Sequence, residues 1–470
     1  MAVPSHFDLV VIGGGPAGTS GALAAGLLGK RAALIEQQAL IGGAGINTGT
    51  IPSKTLRETA LMLSGWRSRQ LFGVDLSLRR EATIADFMGH AKHVSRRERE
   101  RTEERLAQRG VVRFHGAASF VDAHTVRIVD TNGTETLIHG EYILIATGSS
   151  PLRPAEFDFS DPRVHDSNEI LELTTLPKKL VVVGGGVIGS EYAGTFAALG
   201  TEVHLVDGRD TLMPFLDAEI SRGLAAAMNA NGVRFHWKEK VVKCDTSDPG
   251  DVLLTLSSGT TIAADGVLVC AGRSSNTASL DLAAAGLTPG RRGLVQVGVH
   301  YRSTEVPHIY GAGDVIGPPA LAATGIEQAR VAVFHAFGNA LKSDLAPLLP
   351  TGIYTIPEAS CVGETEAALT EKGIPYVMGR ARYGDIPRGD IIGDDKGFLK
   401  LLYHRDDMRL LGVHVMGEHA TELVHIGLTA MLSNATAELF NRACFNYPTL
   451  GDLYKYATYD AIMRMQLGLR

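Results

Sequence analysis

Six glycines in two short stretches are the residues whose spacing most directly indicates chemistry. They form two G-x-G-x-x-G patterns and are Gly13, Gly15, Gly18, Gly184, Gly186 and Gly189. In such a loop the first glycine permits a tight turn, the second lets backbone approach a pyrophosphate, and the third lets helix pack on strand. Each pattern stands between a strand-like apolar run and a helix-like run, so the sequence predicts two dinucleotide sites.

An acidic residue follows each glycine pattern. Glu36 and Asp207 each stand 18 residues after the third glycine of their pattern. A carboxylate at this position accepts hydrogen bonds from ribose hydroxyls. It would repel the 2′-phosphate of NADP, since two charges about 4 Å apart interact by roughly 4 kcal/mol at an intermediate dielectric. Arg209 stands two residues after Asp207 and is a good phosphate ligand, so the choice between NAD and NADP stays open.

The cysteines and histidines favour neither a metal site nor a structural disulfide. No two cysteines are near each other in the sequence, and we interpret all four as small buried hydrophobes. Three histidines late in the chain are five and six residues apart, which does not set them on one face of a helix. The residues concerned are Cys244, Cys270, Cys361, Cys444, His414, His419 and His425.

The bulk composition is that of an ordinary globular enzyme. The chain has 470 residues, enough for about two to four domains. Hydrophobic residues make up 45%, charged residues 20%, and the formal net charge is −6. We therefore expect no nucleic acid and no membrane as partner. The N-terminus shows no signal pattern, so we expect a cytoplasmic protein.

The glycine patterns stand on recognisable elements. Both "FDLVVIGGG" and "KKLVVVGGG" read as a strand entering a turn, with a helix and a second strand after it. "EYILIATGSSP" and "VPHIYGAGDVIG" read as further strands that end in turns. The charged run "HVSRRERERTEERLAQRG" predicts a solvated helix face. After about residue 345, "KGFLKLLYHRDDMRLLGVHVMG" predicts a β-hairpin and "ATELVHIGLTAMLSNA" a helix, in a third domain without a nucleotide pattern.

With these motifs the chain resembles the flavoprotein disulfide reductases over nearly its whole length. The resemblance implies an α/β fold with two Rossmann-like dinucleotide-binding domains, for FAD and NAD(P), and a C-terminal α+β dimerisation domain. It implies an FAD-binding domain in two parts, 1–149 and 274–344, an NAD(P)-binding domain at 150–273, and a dimerisation domain at 345–470. It also implies a homodimer whose active site is shared between subunits.

The resemblance further implies the site residues. Non-covalent FAD would contact Gly13, Gly15, Gly18, Glu36, Gly49, Thr50, Lys54, Ala117, Thr147, Gly148, Asp314, Leu321 and Ala322. The nicotinamide coenzyme would contact Gly184, Gly186, Gly189, Glu191, Asp207, Arg209 and Gly272. Lys54 would lie near the reactive nitrogen of the flavin and pair with Glu191. The catalytic residues would be Lys54, Glu191, Thr50 and Tyr447, without a metal.

The sequence departs from this family at its redox centre. Aligning "PSK" at 52–54 puts Gly45 and Thr50 where the family has its two redox cysteines. Tyr447 and Asp452 stand where the family has the histidine and glutamate that serve those thiols. Because no disulfide can form in this loop, dithiol chemistry through it is excluded. The two losses together indicate a different electron acceptor.

One branch of the family shares part of this combination, the soluble pyridine nucleotide transhydrogenases. The chain is similar to them at "GTIPSKTLRE", "PTGIYTIPE", "HIG" and "FNYPT". The resemblance implies a ping-pong transfer of hydride between NADPH and NAD through FAD. Two alternatives stay open: an NADH-dependent flavin oxidoreductase of the diaphorase or quinone reductase type with another acceptor, and a non-catalytic FAD-binding protein.

Overall fold

The computed structural model describes residues 5–63 and 84–469 of the chain. The strands, in chain order, are β1 Ser5–Ile12, β2 Ala32–Glu36, β3 Val112–His115, β4 Ala117–Phe120, β5 Thr125–Val129, β6 Glu135–Ile145, β7 Ser149–Pro151, β8 Val164–Asp166, β9 Lys179–Val183, β10 Glu202–Asp207, β11 Val233–Trp237, β12 Val241–Asp245, β13 Val252–Leu256, β14 Thr261–Ala264, β15 Gly266–Val269, β16 Arg273–Ser275, β17 Ile309–Gly311, β18 Thr351–Ile353, β19 Ala359–Gly363, β20 Tyr376–Arg382, β21 Phe398–His404 and β22 Leu410–Met416. The helices are α1 Pro16–Leu27, α2 Gly43–Ile46, α3 Thr50–Leu63, α4 Ile84–Gln108, α5 Val187–Ala198, α6 Ala218–Ala230, α7 Ala322–Ala336, α8 Glu366–Glu371, α9 Pro387–Ile392, α10 Ala420–Leu432, α11 Ala437–Arg442 and α12 Asp452–Gln466.

The first sheet carries the first glycine loop. Its strand order is β3-β2-β1-β6-β5-β4, and β17 also pairs with β6. β1 pairs in parallel with β2 and β6, whereas β4 and β5 form an antiparallel extension. Leu9, Val10 and Val11 of β1 are almost fully buried, as expected for a central parallel strand covered on both faces. Because β17 follows the second glycine loop in sequence, the chain leaves this sheet and later returns to it.

The second sheet carries the second glycine loop and is wholly parallel. Its strand order is β11-β10-β9-β15-β8. Leu180, Val181 and Val182 of β9 are fully buried, which explains the unbroken apolar run before the glycines. The meander β12-β13-β14 packs its apolar side chains against this sheet. One largely parallel sheet and one wholly parallel sheet confirm the predicted α/β class.

The C-terminal part forms a third, antiparallel sheet. Its strand order is β18-β19-β22-β21-β20. The predicted hairpin is confirmed as β21 and β22, and the predicted helix is confirmed as α10. Leu401 and Val413 of the sheet share one core with Tyr454 of α12. The domain boundaries at 149, 273 and 344 stay predictions.

Two buried cations tie the nucleotide-binding parts to the third sheet. Arg57 of α3 is 2% exposed, lies 3.2 Å from the Glu358 carboxylate, and donates to the carbonyl of Thr355 at 3.0 Å. Lys400 of β21 is 1% exposed, and its ammonium lies 2.8 Å from the Asp217 carboxylate at the start of α6. Removing one partner of such a pair leaves an uncompensated buried charge, so losing either contact is strongly destabilising.

The charged run predicted as a solvated helix face lies on α4 and the residues just after it. Arg96, Glu100, Arg101 and Arg105 have more than half of their side-chain surface exposed, and Leu106 points inward and is buried. The prediction is therefore confirmed. Within residues 5–63 and 84–469, no helix has both the length and the apolar character that crossing a membrane requires.

Candidate active site

The first glycine loop joins β1 to α1 with almost no room for side chains. Gly13 has φ +107°, and a Cβ there would lie 2.3 Å from the carbonyl oxygen of Ala146. A Cβ on Gly18 would lie 1.8 Å from the carbonyl oxygen of Gly13, so only glycine lets α1 pack this closely. Gly15 directly precedes the helix. The unpaired N–H groups of the first turn of α1 therefore border the loop, where a helix start binds anions.

The Glu36 carboxylate at the end of β2 is held by two backbone donors. Its Oε2 accepts from the N–H of Gly14 at 2.8 Å, and its Oε1 accepts from the N–H of Gln38 at 2.8 Å. No cation contacts this carboxylate in the part of the chain that the structure describes. A carboxylate offers about four acceptor positions, so about two remain for ribose hydroxyls.

The segments predicted to bind FAD after β6 and β17 meet beside this loop. The Thr147 hydroxyl is buried and has no hydrogen-bond partner among the described residues. Gly148 follows with φ +68°, and Asp314 accepts from the hydroxyl of Ser149 at 2.6 Å. A buried hydroxyl without a partner is costly, and a polar group of a ligand would satisfy it. The donors and acceptors around the loop therefore fit a dinucleotide such as FAD.

Four further predicted FAD-binding residues lie at the ends of elements. Ala117 begins β4, directly after the residue whose N–H donates to the carbonyl of Glu36. Leu321 and Ala322 begin α7, and Gly325 in its first turn packs closely on the loop that holds Asp314. Gly49 precedes α3, and a Cβ there would lie 2.9 Å from the carbonyl oxygen of Ala44. Their contacts with FAD stay predictions.

The second glycine loop repeats the geometry of the first between β9 and α5. Gly184 has φ +104°, and a Cβ there would lie 2.5 Å from the carbonyl oxygen of Cys270. A Cβ on Gly189 would lie 2.0 Å from the carbonyl oxygen of Gly184. A Cβ on Gly186 would meet nothing within 4 Å, so this side of the loop is open to a ligand. Gly272, with φ +109°, follows β15 at the same edge of the sheet.

The Asp207 carboxylate at the end of β10 is paired with Arg209. The guanidinium lies 2.6 Å from Oδ2 and 2.8 Å from Oδ1, and the N–H of Gly185 also donates to Oδ2 at 2.6 Å. Burial alone would raise the pKa of the Asp207 carboxyl, but the hydrogen bonds from Arg209 and Gly185 outweigh it and hold that pKa below its usual value. Asp207 is therefore an anion whose charge is already compensated.

Lys54 and Glu191 form the ion pair that the resemblance implies. Lys54 of α3 and Glu191 of α5 come from the two nucleotide-binding parts, and their side chains meet at 2.5 Å. Glu191 also accepts from the backbone N–H of Tyr354 at 2.9 Å. The Lys54 ammonium lies 5.1 Å from the centre of the Tyr354 ring, within cation–π distance. Glu191 is 8% exposed, so the pair sits where water screens it little.

The loop at the family's redox centre is packed for residues without thiols. Gly45 lies in α2, and a Cβ there would lie 2.4 Å from Cγ of Pro16. Thr50 begins α3 on the other side of the loop. A cysteine at position 45 would thus require Pro16 or α2 to move. The position lacks both the sulfur and the space for it.

The four cysteines are all free thiols elsewhere in the chain. Burial raises the pKa of Cys270 to about 12 and that of Cys361 to about 11, which makes both thiols poor nucleophiles. Cys244 is partly buried, and Cys444 is exposed. These environments agree with the interpretation of structural thiols for the three less exposed residues. Cys444 is an exception because it lies at the surface.

Tyr447, the fourth predicted catalytic residue, lies at the surface of the described structure. Its side chain is 74% exposed, in the segment that precedes α12. Asp452 is the first residue of that helix. Among the histidines predicted to have no metal role, His414 is buried and bonds the carbonyl of Glu364 at 2.9 Å, and His419 is half exposed.

Sequence reasoning missed Tyr354 at the site and the two buried cations that join the nucleotide-binding parts to the third sheet. Tyr354 contacts both Lys54 and Glu191, whereas the sequence marks its stretch only as one that resembles the family. Arg57 and Lys400 carry the buried ion pairs to the third sheet, yet both stand in ordinary helix or hairpin patterns. Arg57 bonds Thr355, 298 residues later, and Lys400 bonds Asp217, 183 residues earlier, so no local signal identifies these contacts.

The comparisons with known proteins agree with this architecture. The family profile described as "Pyridine nucleotide-disulphide oxidoreductase" matches residues 7–336, and that of its dimerisation domain matches residues 349–458. The chain belongs to the pyridine nucleotide-disulphide oxidoreductase family. This confirms the resemblance and identifies the third sheet with the predicted dimerisation domain.

Named relatives cover almost the whole chain. A protein of Mycobacterium bovis named "Soluble pyridine nucleotide transhydrogenase" is 45% identical over 98% of both chains. One of Pseudomonas putida with the same name is 40% identical over 98% of this chain and 99% of its own. The solved structure of the "HOCl-induced flavoprotein disulfide reductase RclA" from Escherichia coli matches with a TM-score of 0.86 at 26% identity, over 96% of this chain and 99% of that one.

Proposed function

We propose that this chain is an FAD-dependent oxidoreductase that transfers hydride between NADPH and NAD, a soluble pyridine nucleotide transhydrogenase. The observation that carries the proposal is the Lys54–Glu191 ion pair between the two nucleotide-binding parts, beside a loop whose Gly45 and Thr50 offer no thiol. Relatives at 40 to 45% identity bear this name. A tuned flavin site without a dithiol suits exchange between two nicotinamide coenzymes.

The chain contributes binding, orientation and electrostatic tuning to this reaction. Bound FAD would supply the redox chemistry of hydride exchange between the two coenzymes. The Lys54 ammonium, 2.5 Å from Glu191, is a fixed cation that stabilises negative charge developing on a neighbouring ring. Glu191 is itself held by the N–H of Tyr354. Hydride transfer requires no proton from the protein, so a base at position 447 is dispensable.

The remaining parts of the proposal concern cofactors and assembly. FAD would be held non-covalently at the first glycine loop, where Glu36 would accept from its ribose hydroxyls and Asp314 would bond its ribityl chain. NADP(H) and NAD(H) bind in turn at the second loop, which gives ping-pong kinetics. The enzyme is a cytoplasmic homodimer with the predicted domain boundaries. Tyr447 of each subunit contributes to the flavin site of the other, and Thr50 is a small polar neighbour of the flavin.

A second candidate function is an NADH-dependent flavin oxidoreductase with a different acceptor. A cleft of about 760 Å³ lies beside Gly45 and Thr50, between α1, α4 and α7. Apolar and charged side chains line it, among them Ile51, Arg105 and Arg330. A quinone or a dye could accept electrons there, on the side from which the thiols are missing. Asp207 also favours this function to the extent that it selects NADH.

Anaerobic half-reactions distinguish the two functions. The purified yellow protein is mixed with NADH and, separately, with NADPH, while bleaching of the flavin absorbance is followed. Bleaching by both coenzymes, followed by re-oxidation on addition of either oxidised coenzyme, is the result expected for a transhydrogenase. Bleaching by NADH with no reaction of NADPH would refute the transhydrogenase and leave the second candidate.

A further inference from the structure

The Asp207 carboxylate is fully occupied by donors from the protein itself. Its Oδ1 accepts from the backbone N–H and the Nε–H of Arg209, both at 2.8 Å. Its Oδ2 accepts from the N–H of Gly185 and from Nη2 of Arg209, both at 2.6 Å. These four bonds use the roughly four acceptor positions that a carboxylate has. While Arg209 stays in place, Asp207 has no free position for a ribose hydroxyl.

Arg209 keeps donors to spare in this arrangement. A guanidinium carries five N–H donors, and the Asp207 carboxylate takes two of them. The Arg209 side chain is 45% exposed, so a ligand in solution can reach it. The planar fork of a guanidinium matches the geometry of a phosphate group. The paired arginine is therefore still able to bind a phosphate.

Lys240 supplies a second cation at the same place. A Cβ built on Gly208 would lie 3.5 Å from Cε and 3.8 Å from Cγ of Lys240, so the lysine stem runs alongside the residue between Asp207 and Arg209. Lys240 is exposed, and its ammonium forms no ion pair with another described residue. Nearby Lys238, in contrast, pairs with Asp210 at 3.2 Å.

We infer that Arg209 reads the 2′ substituent of the coenzyme by moving on and off Asp207, with Lys240 as a second phosphate contact. The inference rests on the proposed function, because it requires both coenzymes at the second glycine loop. With the guanidinium on Asp207, the site offers two cations and binds the 2′-phosphate of NADPH. With the guanidinium withdrawn, two acceptor positions of Asp207 become free for the 2′- and 3′-hydroxyls of NAD.

The test uses two coenzyme fragments without nicotinamide, 5′-AMP and adenosine 2′,5′-bisphosphate, titrated calorimetrically into the FAD-loaded protein. Arg209→Gln should weaken binding of the bisphosphate by at least about tenfold, the value of one charge-assisted hydrogen bond, and leave 5′-AMP binding equal or tighter. Lys240→Gln should weaken only the bisphosphate, by a few-fold. Arg234→Gln is the matched control, since it removes the same charge from the opposite end of β11, where it pairs with Glu202 at 2.7 Å. It should change neither affinity.

Two results would overturn the inference. One is an Arg209→Gln variant that leaves bisphosphate binding unchanged or weakens both fragments equally, and the other is a wild-type protein that binds 5′-AMP but not the bisphosphate. Retained flavin absorbance verifies that each variant is folded. Because neither fragment transfers hydride, an Arg209 effect in a protein inactive with NADPH refutes only the proposed function. Transhydrogenation without an Arg209 effect refutes only the inference.

Discussion

The two glycine loops of this chain share one backbone geometry and differ in the acid that follows. Gly13 and Gly184 have φ values of +107° and +104°, and the third glycine of each loop packs on the carbonyl of the first with no room for a Cβ. The same local sequence pattern thus builds the same pyrophosphate cradle twice. The backbone therefore cannot be what assigns different nucleotides to the two sites.

The surroundings of the two acids differ sharply. Glu36 accepts two bonds, both from backbone N–H groups, and keeps about two acceptor positions free. Asp207 accepts four bonds, three of them from Arg209. An uncovered carboxylate suits one resident cofactor whose ribose hydroxyls bind permanently. A carboxylate covered by a movable cation suits a site that exchanges two coenzymes.

The largest effect is expected from the third glycine of either loop, where even a methyl group would lie about 2 Å from a carbonyl oxygen. Gly18→Ala should displace α1 and give protein without flavin, because overpacking forces the backbone to shift. Gly189→Ala should leave the flavin absorbance intact and abolish binding of both coenzymes, measured by calorimetry.

Gly89→Ala is the control for these substitutions, since a Cβ there meets nothing within 4 Å on exposed α4. It should leave both ligands bound. Flavin retained by Gly18→Ala would show that the close packing of the first loop is not needed to bind FAD. Coenzyme retained by Gly189→Ala would show the same for the second loop and its coenzymes.

The next largest effect concerns how each nucleotide-binding part is anchored. Lys400→Met should lower the free energy of unfolding by about 3–5 kcal/mol, because it leaves Asp217 charged and buried. Arg57→Met should cost a similar amount, because it leaves the Glu358 carboxylate, which is 8% exposed, without its cation. Urea denaturation followed by fluorescence measures both. Lys372 pairs with Glu364, and their side chains are 53% and 34% exposed. Lys372→Met should therefore change the free energy of unfolding by less than about 1 kcal/mol. Equal losses in all three variants would contradict the difference in burial.

Lys54 lies in the first nucleotide-binding part and Glu191 in the second. Their ion pair therefore tests whether the two parts act together on the flavin. Lys54→Met should slow reduction of the flavin by NADH about a hundredfold, the usual loss when one fixed electrostatic partner is removed. Stopped-flow bleaching measures the rate, and the flavin midpoint potential should become more negative. Lys54→Arg keeps the charge and should recover much of the rate. An unchanged potential in Lys54→Met would exclude the tuning role.

The smallest effect is expected from neutralising the acids themselves. Glu36→Gln should weaken FAD binding by about tenfold, since an amide replaces a charged acceptor of ribose hydroxyls. Asp207→Asn should instead change selectivity by about tenfold, weakening NAD while NADP binds equally or more tightly. Ultrafiltration and calorimetry measure these affinities. If Asp207→Asn weakened the binding of NAD and of NADP equally, Asp207 would act as a simple acceptor like Glu36. The proposed difference between the two acids would then be contradicted.

The sequence predicted the parts of the fold and site that are local. The glycine loops, the hairpin and α10 follow from contiguous patterns, because each is set by neighbouring residues within one or two elements. Lys54 and Glu191 lie 137 residues apart, and only the family resemblance brought them together. The charges of Asp207 and Arg209 are visible in the sequence, but the three hydrogen bonds from Arg209 to Asp207 depend on the turn after β10.

Long-range burial could not be predicted. Lys400 stands in a strand whose pattern suggests an outward lysine, yet it is buried against Asp217, 183 residues earlier. The packing of Gly45 against Pro16 also depends on how α2 meets α1, which no spacing reveals. Such contacts are decided by the assembly of the sheets rather than by local preference.

Hydride passage between the two coenzymes through one flavin is the central claim, and an isolated two-step transfer tests it most directly. One equivalent of NADPH is added anaerobically to the yellow protein, the coenzyme is removed by gel filtration, and NAD is then added. We predict bleaching in the first step and about one NADH per flavin in the second. A protein that NADPH does not bleach, or that stays reduced when NAD is added, would contradict the claim.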